Sequence, residues 1–275
     1  MNHRTSILAA AALVALAACS STIDVPAPRP FAFLDLNTLS ASSRSTGYVA
    51  KGTALFTQAR ITGVIGSADL QERCDQPTKI VPTLARTTTP FDPGTVTLSF
   101  HGPADPTTRT VPLLRKVTTE GDTYWTNDSL PNMTPANDSV TFAATGAAGG
   151  FPAFSLRAPT VAPYTPQAVD DSVTGVGIRV QWTPSPNPAT AMQISLQYDS
   201  TFTSNFPNAE IVCIARDDGD FTINRVYLEP WLEAGVDSLN VHRQVAYSRF
   251  LTTTTQVADA IVTVVVRRDT TVVKQ

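Results

Sequence analysis

Val96, Leu98 and Phe100 alternate with Thr97 and Ser99, and this period of two constrains the fold more than any other feature of the sequence. A strand turns successive side chains to opposite faces, so strict alternation marks a sheet with one face buried. Val140, Phe142 and Ala144 repeat the pattern, as do Val176, Ile178, Val180 and Trp182, and then Met192, Ile194, Leu196 and Tyr198. Further strands are predicted at 53–57, 60–65, 78–84, 110–117, 210–216, 221–227, 238–247 and 260–267, with 270–274 closing a sheet. Ala260 to Val266 is apolar almost throughout, which suits a strand well inside a sheet. Asp92-Pro93-Gly94, Gly102-Pro103, Glu120-Gly121-Asp122 and Thr145-Gly146 punctuate the first half as turns. Only Leu228 to Ala234 has the look of a helical turn. With 21 prolines and only 16% charged residues, the composition also favours strands and turns, and the fold class is all-β.

The amino end follows another logic. Met1 to Arg4 is short and polar, and Ile7 to Ala18 is an unbroken apolar run of 12 residues. That length is too short to cross a bilayer, which needs about 20 residues. A charged start, an apolar middle and small residues at its end outline a secretory signal peptide over residues 1–18. The run stops at Leu16-Ala17-Ala18-Cys19, which resembles the lipobox of bacterial lipoproteins. The resemblance implies cleavage between Ala18 and Cys19, with diacylglyceryl and acyl groups carried on Cys19. Several acyl chains make a stable anchor, at about 0.8 kcal/mol per buried methylene. Ser20 and Ser21 follow without an aspartate. By similarity to the sorting of Gram-negative lipoproteins this implies the outer membrane, on either its periplasmic or its cell-surface face.

Residues 19–45 hold alternating Pro26, Pro28 and Pro30 and the polar run Ser40 to Ser45, and read as a tether. Phe31-Ala32-Phe33-Leu34 interrupts it and is a candidate first strand. The stretch "APTVAPYTPQ" (158–167) holds three prolines and marks a boundary. Two domains are therefore expected, at 46–158 and 159–275, each a sandwich of short strands. In the second, "PTVAPYTPQAVDDSVTGVGIRVQWTPSPNPATAMQISLQYDS" resembles the opening of a fibronectin type III or related immunoglobulin-like domain. Trp182-Thr183-Pro184 and Tyr198 stand where that family places a tryptophan with prolines and a later aromatic. The resemblance implies two immunoglobulin-like antiparallel β-sandwiches. The succession of lipobox, tether, "GGFPAFSLRAP" and "EIVCIARDDGDFTI" is also similar to uncharacterised exported lipoproteins of high-GC Gram-negative bacteria, a likeness that implies architecture and location and no activity.

Candidate chemistry is sparse. With Cys19 assigned to lipid, Cys74 and Cys213 remain of three cysteines. An oxidising compartment lets them form a disulfide; the alternative is two buried thiols. Asp217, Asp218 and Asp220 are candidate calcium ligands, as clustered hard oxygens. The same residues around Asp218-Gly219 also make a strong hairpin signal, which is the favoured reading. His101, His242 and the cysteines lack the tight spacing of a zinc site, and no metal or other cofactor is assigned. No serine elbow, phosphate loop or dinucleotide fingerprint occurs. Tyr124-Trp125 is either a core aromatic with an edge-capping neighbour, the favoured reading, or a platform for a glycan or protein ligand. Asn127, Asn132 and Asn137 open sequons that read as turn residues. The formal net charge of −3 argues against nucleic acid as a partner. The reading is a non-enzymatic binding or structural protein of the envelope, held by membrane lipid. The rivals are a cell-surface carbohydrate-active or proteolytic enzyme and a purely structural periplasmic lipoprotein.

Overall fold

A computed structural model describes residues 29–39, 49–59, 71–75, 78–79, 90–101, 109–117, 123–130, 139–167, 176–199, 209–229 and 242–274. Among these residues the chain is all-β. The strands of the first half are β1 (Arg29–Leu39), β2 (Val49–Ala59), the two-residue β3 (Arg73–Cys74) and β4 (Thr78–Lys79), β5 (Val96–His101), β6 (Arg109–Val117), β7 (Thr123–Leu130), β8 (Ser139–Ala144) and β9 (Phe154–Pro159). Those of the second are β10 (Gly177–Gln181), β11 (Ala191–Asp199), β12 (Ala209–Arg216), β13 (Asp220–Asn224), β14 (His242–Val257) and β15 (Ala260–Lys274). The stretch predicted as strand up to residue 227 ends at Asn224, because Arg225–Tyr227 turns into a short 3-10 helix. Its backbone is caught there by the Asn224 side chain, which accepts from the Val226 N–H.

Thirteen strands share one sheet in the order β3-β12-β11-β14-β15-β1-β2-β7-β6-β5-β8-β9, with β4 also on β12. β10 and β13 form a separate two-stranded ribbon. Alternation decides what each strand buries. Val96 and Leu98 of β5, and Val140 and Phe142 of β8, point into one core with Ala32, Leu34 and Leu36 of β1 and Val262, Val264 and Val266 of β15. Phe56 is fully buried there, edge-on to Trp125 at 5.1 Å and to Phe151 at 5.0 Å. Such aromatic pairs add roughly 0.5–1.5 kcal/mol each to the burial itself. β6 pairs with β7 through Leu114 to Val117 and with β5 through Arg109 to Leu113. The sheet therefore folds over at β6, and β9 returns against β14 and β15.

A second core lies between the β10–β13 ribbon and β11, β12 and β14. It gathers Ile178, Val180, Trp182, Met192, Ile194, Leu196, Ile211, Cys213, Ile223, Val245 and Tyr247. The two cores do not follow the expected division of the chain at 158/159. β15 belongs to the C-terminal half yet lines the first core, while Cys74 of the first half packs against the second. The long β14–β15 hairpin runs past both, with Val245 and Tyr247 in one core and Val262, Val264 and Val266 in the other.

The stretch expected as tether is divided as well. Residues 29–39 form β1, which lies between β2 (antiparallel) and β15 (parallel, Phe31 beside Ile261 and Leu36 beside Val266). The candidate strand at Phe31–Leu34 is thus 11 residues long and central. The β1–β15 pair is the one departure from antiparallel pairing among the described strands. The stretches predicted at 260–267 and 270–274 are a single continuous strand. Residues 1–28, the predicted strand at 60–65 and most of 78–84 lie outside the described residues.

Candidate functional site

Three groupings of side chains carry the chemistry. The first is buried around the β12–β13 turn. Gly219 has φ +98°, and a Cβ there would lie 2.9 Å from the Trp182 carbonyl oxygen. The Asp-Gly pair bends the chain as expected but closes no hairpin, because β12 stays in the large sheet while β13 leaves it to pair with β10. The turn directs Asp217 inward. One carboxylate oxygen, Oδ1, accepts from Trp182 Nε1 at 2.8 Å and from Arg249 Nη2 at 2.9 Å. The other, Oδ2, accepts from Thr190 Oγ1 at 2.7 Å and lies 2.7 Å from Arg249 Nε. Arg249 also donates through Nη1 to the carbonyls of Ala162 and Pro163, both at 3.1 Å, and through Nη2 to that of Thr183. Its guanidinium sits over the Tyr164 ring at 4.9 Å. The Tyr164 hydroxyl donates toward the carbonyls of Tyr247 at 2.7 Å and Arg268 at 3.1 Å, and burial pushes its pKa up.

The candidate calcium ligands are accordingly given separate tasks. Asp217 is saturated inside. Asp218 is exposed, and its Oδ1 faces the Asp220 N–H at 3.3 Å. Asp220 lies on β13, where it accepts from Arg179 Nε at 2.8 and 3.0 Å; that hydrogen bond holds its carboxyl below the usual range. Each of the three carboxylates thus faces a different partner within the protein.

The second grouping is the disulfide between Cys74 and Cys213, 139 residues apart. The two sit directly opposite each other on β3 and β12. In the next pair the Asp75 N–H donates to the Val212 carbonyl at 2.8 Å. The cysteines therefore occupy the closely spaced, non-hydrogen-bonded position of an antiparallel pair. Cys213 is fully buried and Cys74 half-buried. Cys19 and Ala18 lie outside the described residues.

The third is a cleft of about 280 Å³ whose described lining is Pro90, Phe91, Asp92, Gly94, Arg115, Thr123 and Trp125. β6 and β7 bring Arg115 and Trp125 side by side. Asp92 opens the turn before β5, its Oδ1 accepting from the Gly94 N–H at 2.8 Å; Gly94 needs its φ of +70° there. Trp125 is only 5% exposed. It is the core aromatic of the Tyr124-Trp125 pair, with Tyr124 half-buried. The cleft offers an aromatic edge, a hydroxyl, a carboxylate and a guanidinium, groups suited to a polar ligand with an apolar face. Of the other candidates, His101 Nε2 contacts Thr141 Oγ1 at 3.0 Å and Asn127 donates to the Pro112 carbonyl at 3.1 Å. His242 begins β14, and Asn132 and Asn137 lie outside the described residues.

Sequence reasoning missed Arg249, Tyr164 and the fold-back of Cys74. A signal for Arg249 exists: Val245, Tyr247, Arg249 and Leu251 are in phase, so one period extended past residue 247 turns the arginine inward. Compared with known proteins, the chain matches no family model and no curated protein.

Proposed function

We propose that this chain is an exported, lipid-anchored protein with a non-catalytic binding role at the cell envelope, its folded part comprising two immunoglobulin-like sandwich lobes fused along the β14–β15 hairpin. The observation that carries this reading is a count of thiols. Of three cysteines, two are joined in the Cys74–Cys213 disulfide, and disulfides persist in oxidising compartments. The remaining one is Cys19, at the end of the apolar run where the lipobox resemblance implies acylation. Export and a modified Cys19 thus account for all three cysteines. The outer membrane is the proposed location, and the Trp125 cleft is the proposed contact for a glycan or a polar segment of another protein.

The test is acyl labelling in cells. The native chain should take up labelled palmitate and run as a processed band, and its mobility should change with reductant. Cys19→Ser should accumulate as unlabelled precursor. A labelled, processed Cys19→Ser product, or a native chain without label, refutes the anchor.

A further inference from the structure

We infer that the outer face of β1, β2 and β15, at the end where β1 begins, rests on the lipid surface beside the anchor. The inference builds on the lipid-anchored reading above. With Ala32, Leu34, Phe56 and Val262 turned into the first core, Phe31, Phe33, Leu55 and Ile261 occupy the opposite face. The register places them together: Phe31 beside Ile261, and Phe33 beside Leu55. Phe33 is 39% and Leu55 36% exposed, while Phe31 and Ile261 are half-buried.

The same face changes character along its length. Toward the far end of β1, Asp35 accepts from Arg267 at 3.0 and 3.1 Å, and Asn37 donates to Asp269 at 2.6 Å, with Lys51 paired beside Asn37 in the register. One end of the face therefore carries four apolar side chains set among Arg29, Thr57 and Thr263, and the other is a charged, cross-linked cluster. The apolar end is the tethered one. Nine residues lie between Cys19 and Arg29, the first residue of β1, and the ten steps this makes reach at most about 35 Å fully extended. Aromatic and aliphatic side chains next to an acyl anchor enter the interface at little further ordering cost, because the anchor already holds them there. The polar end then faces water.

The test uses the acylated full-length protein in phosphatidylethanolamine/phosphatidylglycerol vesicles with brominated acyl chains. Phe33→Trp reports the apolar end and Asn37→Trp the far end; Leu55→Trp is a second reporter should Phe33→Trp fail to fold. Bromolipid is expected to quench the Phe33→Trp or Leu55→Trp emission at least two-fold more than that of Asn37→Trp. Equal quenching of a chain that floats with the vesicles overturns the docking face and leaves the anchor standing. So does an unquenched Phe33→Trp that is blue-shifted, the mark of cover by the chain's own residues 20–28 or by a second copy. A chain that does not float with the vesicles overturns the anchor and the docking face together.

Discussion

Arg249 of β14 and Asp217 of the β12–β13 turn meet at 2.7 Å with both side chains shut off from water. A charge pair at such depth recovers its desolvation only through further hydrogen bonds, and here Trp182, Thr190, Ala162, Pro163 and Thr183 supply them. The pair ties three separate stretches to the sheet: the proline-rich 158–167, the turn after Trp182 and the bend at Gly219.

Removing one partner leaves the other charge buried and unanswered. Asp217→Ala or Arg249→Met should each cost about 3–5 kcal/mol, read from urea denaturation. The double variant should be less destabilised than the two single losses added together. Additive losses would mean that the two charges do not depend on each other.

The disulfide acts on the unfolded chain. Cross-linking residues 139 apart removes loop entropy worth about 5 kcal/mol in the chain-entropy account. Cys74→Ser with Cys213→Ser should therefore lower the denaturation midpoint by up to that amount, and added dithiol should lower the native protein's midpoint without affecting the double variant. β3 and β4 hold to β12 through only two residues each. Hydrogen exchange along residues 209–216 should rise in the double variant before it rises in the first core.

Tyr247 is 1% exposed, and its hydroxyl meets no partner among the described residues. Tyr247→Phe should leave stability unchanged or raise it by about 1 kcal/mol, because it removes an unsatisfied buried polar atom. Burial also pushes the phenol's pKa up to about 12. A folded-state pKa above the unfolded value means that stability is fully present below about pH 10 and drains away as pH rises from about 10 toward 12. Urea midpoints measured at pH 8, 10 and 11.5 should fall for the native chain, and fall less for Tyr247→Phe.

The β14–β15 turn holds Ala258 at φ +53°, in the left-handed region that costs a side-chain-bearing residue about 1 kcal/mol or more. Ala258→Gly or Ala258→Asn should stabilise the hairpin by about 0.5–1 kcal/mol and raise Tm by a few degrees. Gln256 Nε2 donates to the Ala258 carbonyl at 3.0 Å, so Gln256→Ala should act in the opposite direction by a smaller amount.

The sequence made local features legible and long-range ones illegible. Val96, Leu98, Val140 and Phe142 face the core in phase with their alternation, because a strand's two faces are written into its own residues. Asp218-Gly219 makes its turn for an equally local reason. The partner of Phe31 is Ile261, and nothing near either residue specifies the other. The prolines and serines around β1 instead suggested a tether across the whole of 19–45. The same distance explains the disulfide, whose cysteines were candidates without any cue of proximity. It also explains Asp217, whose acidic neighbours pointed to a surface cluster while its true counter-charge stands 32 residues further on.

The parallel β1–β15 pair sets a schedule for folding. β1 is the earliest described strand to be made and β15 the last, yet each is the other's neighbour in the middle of the sheet. The first core must wait for residues 260–266, and long-range closure of this kind is slow. A chain translocated amino end first would cross a bilayer with β1 paired to β2 alone and its other edge still open. Final closure would come only after the carboxyl end had followed it through.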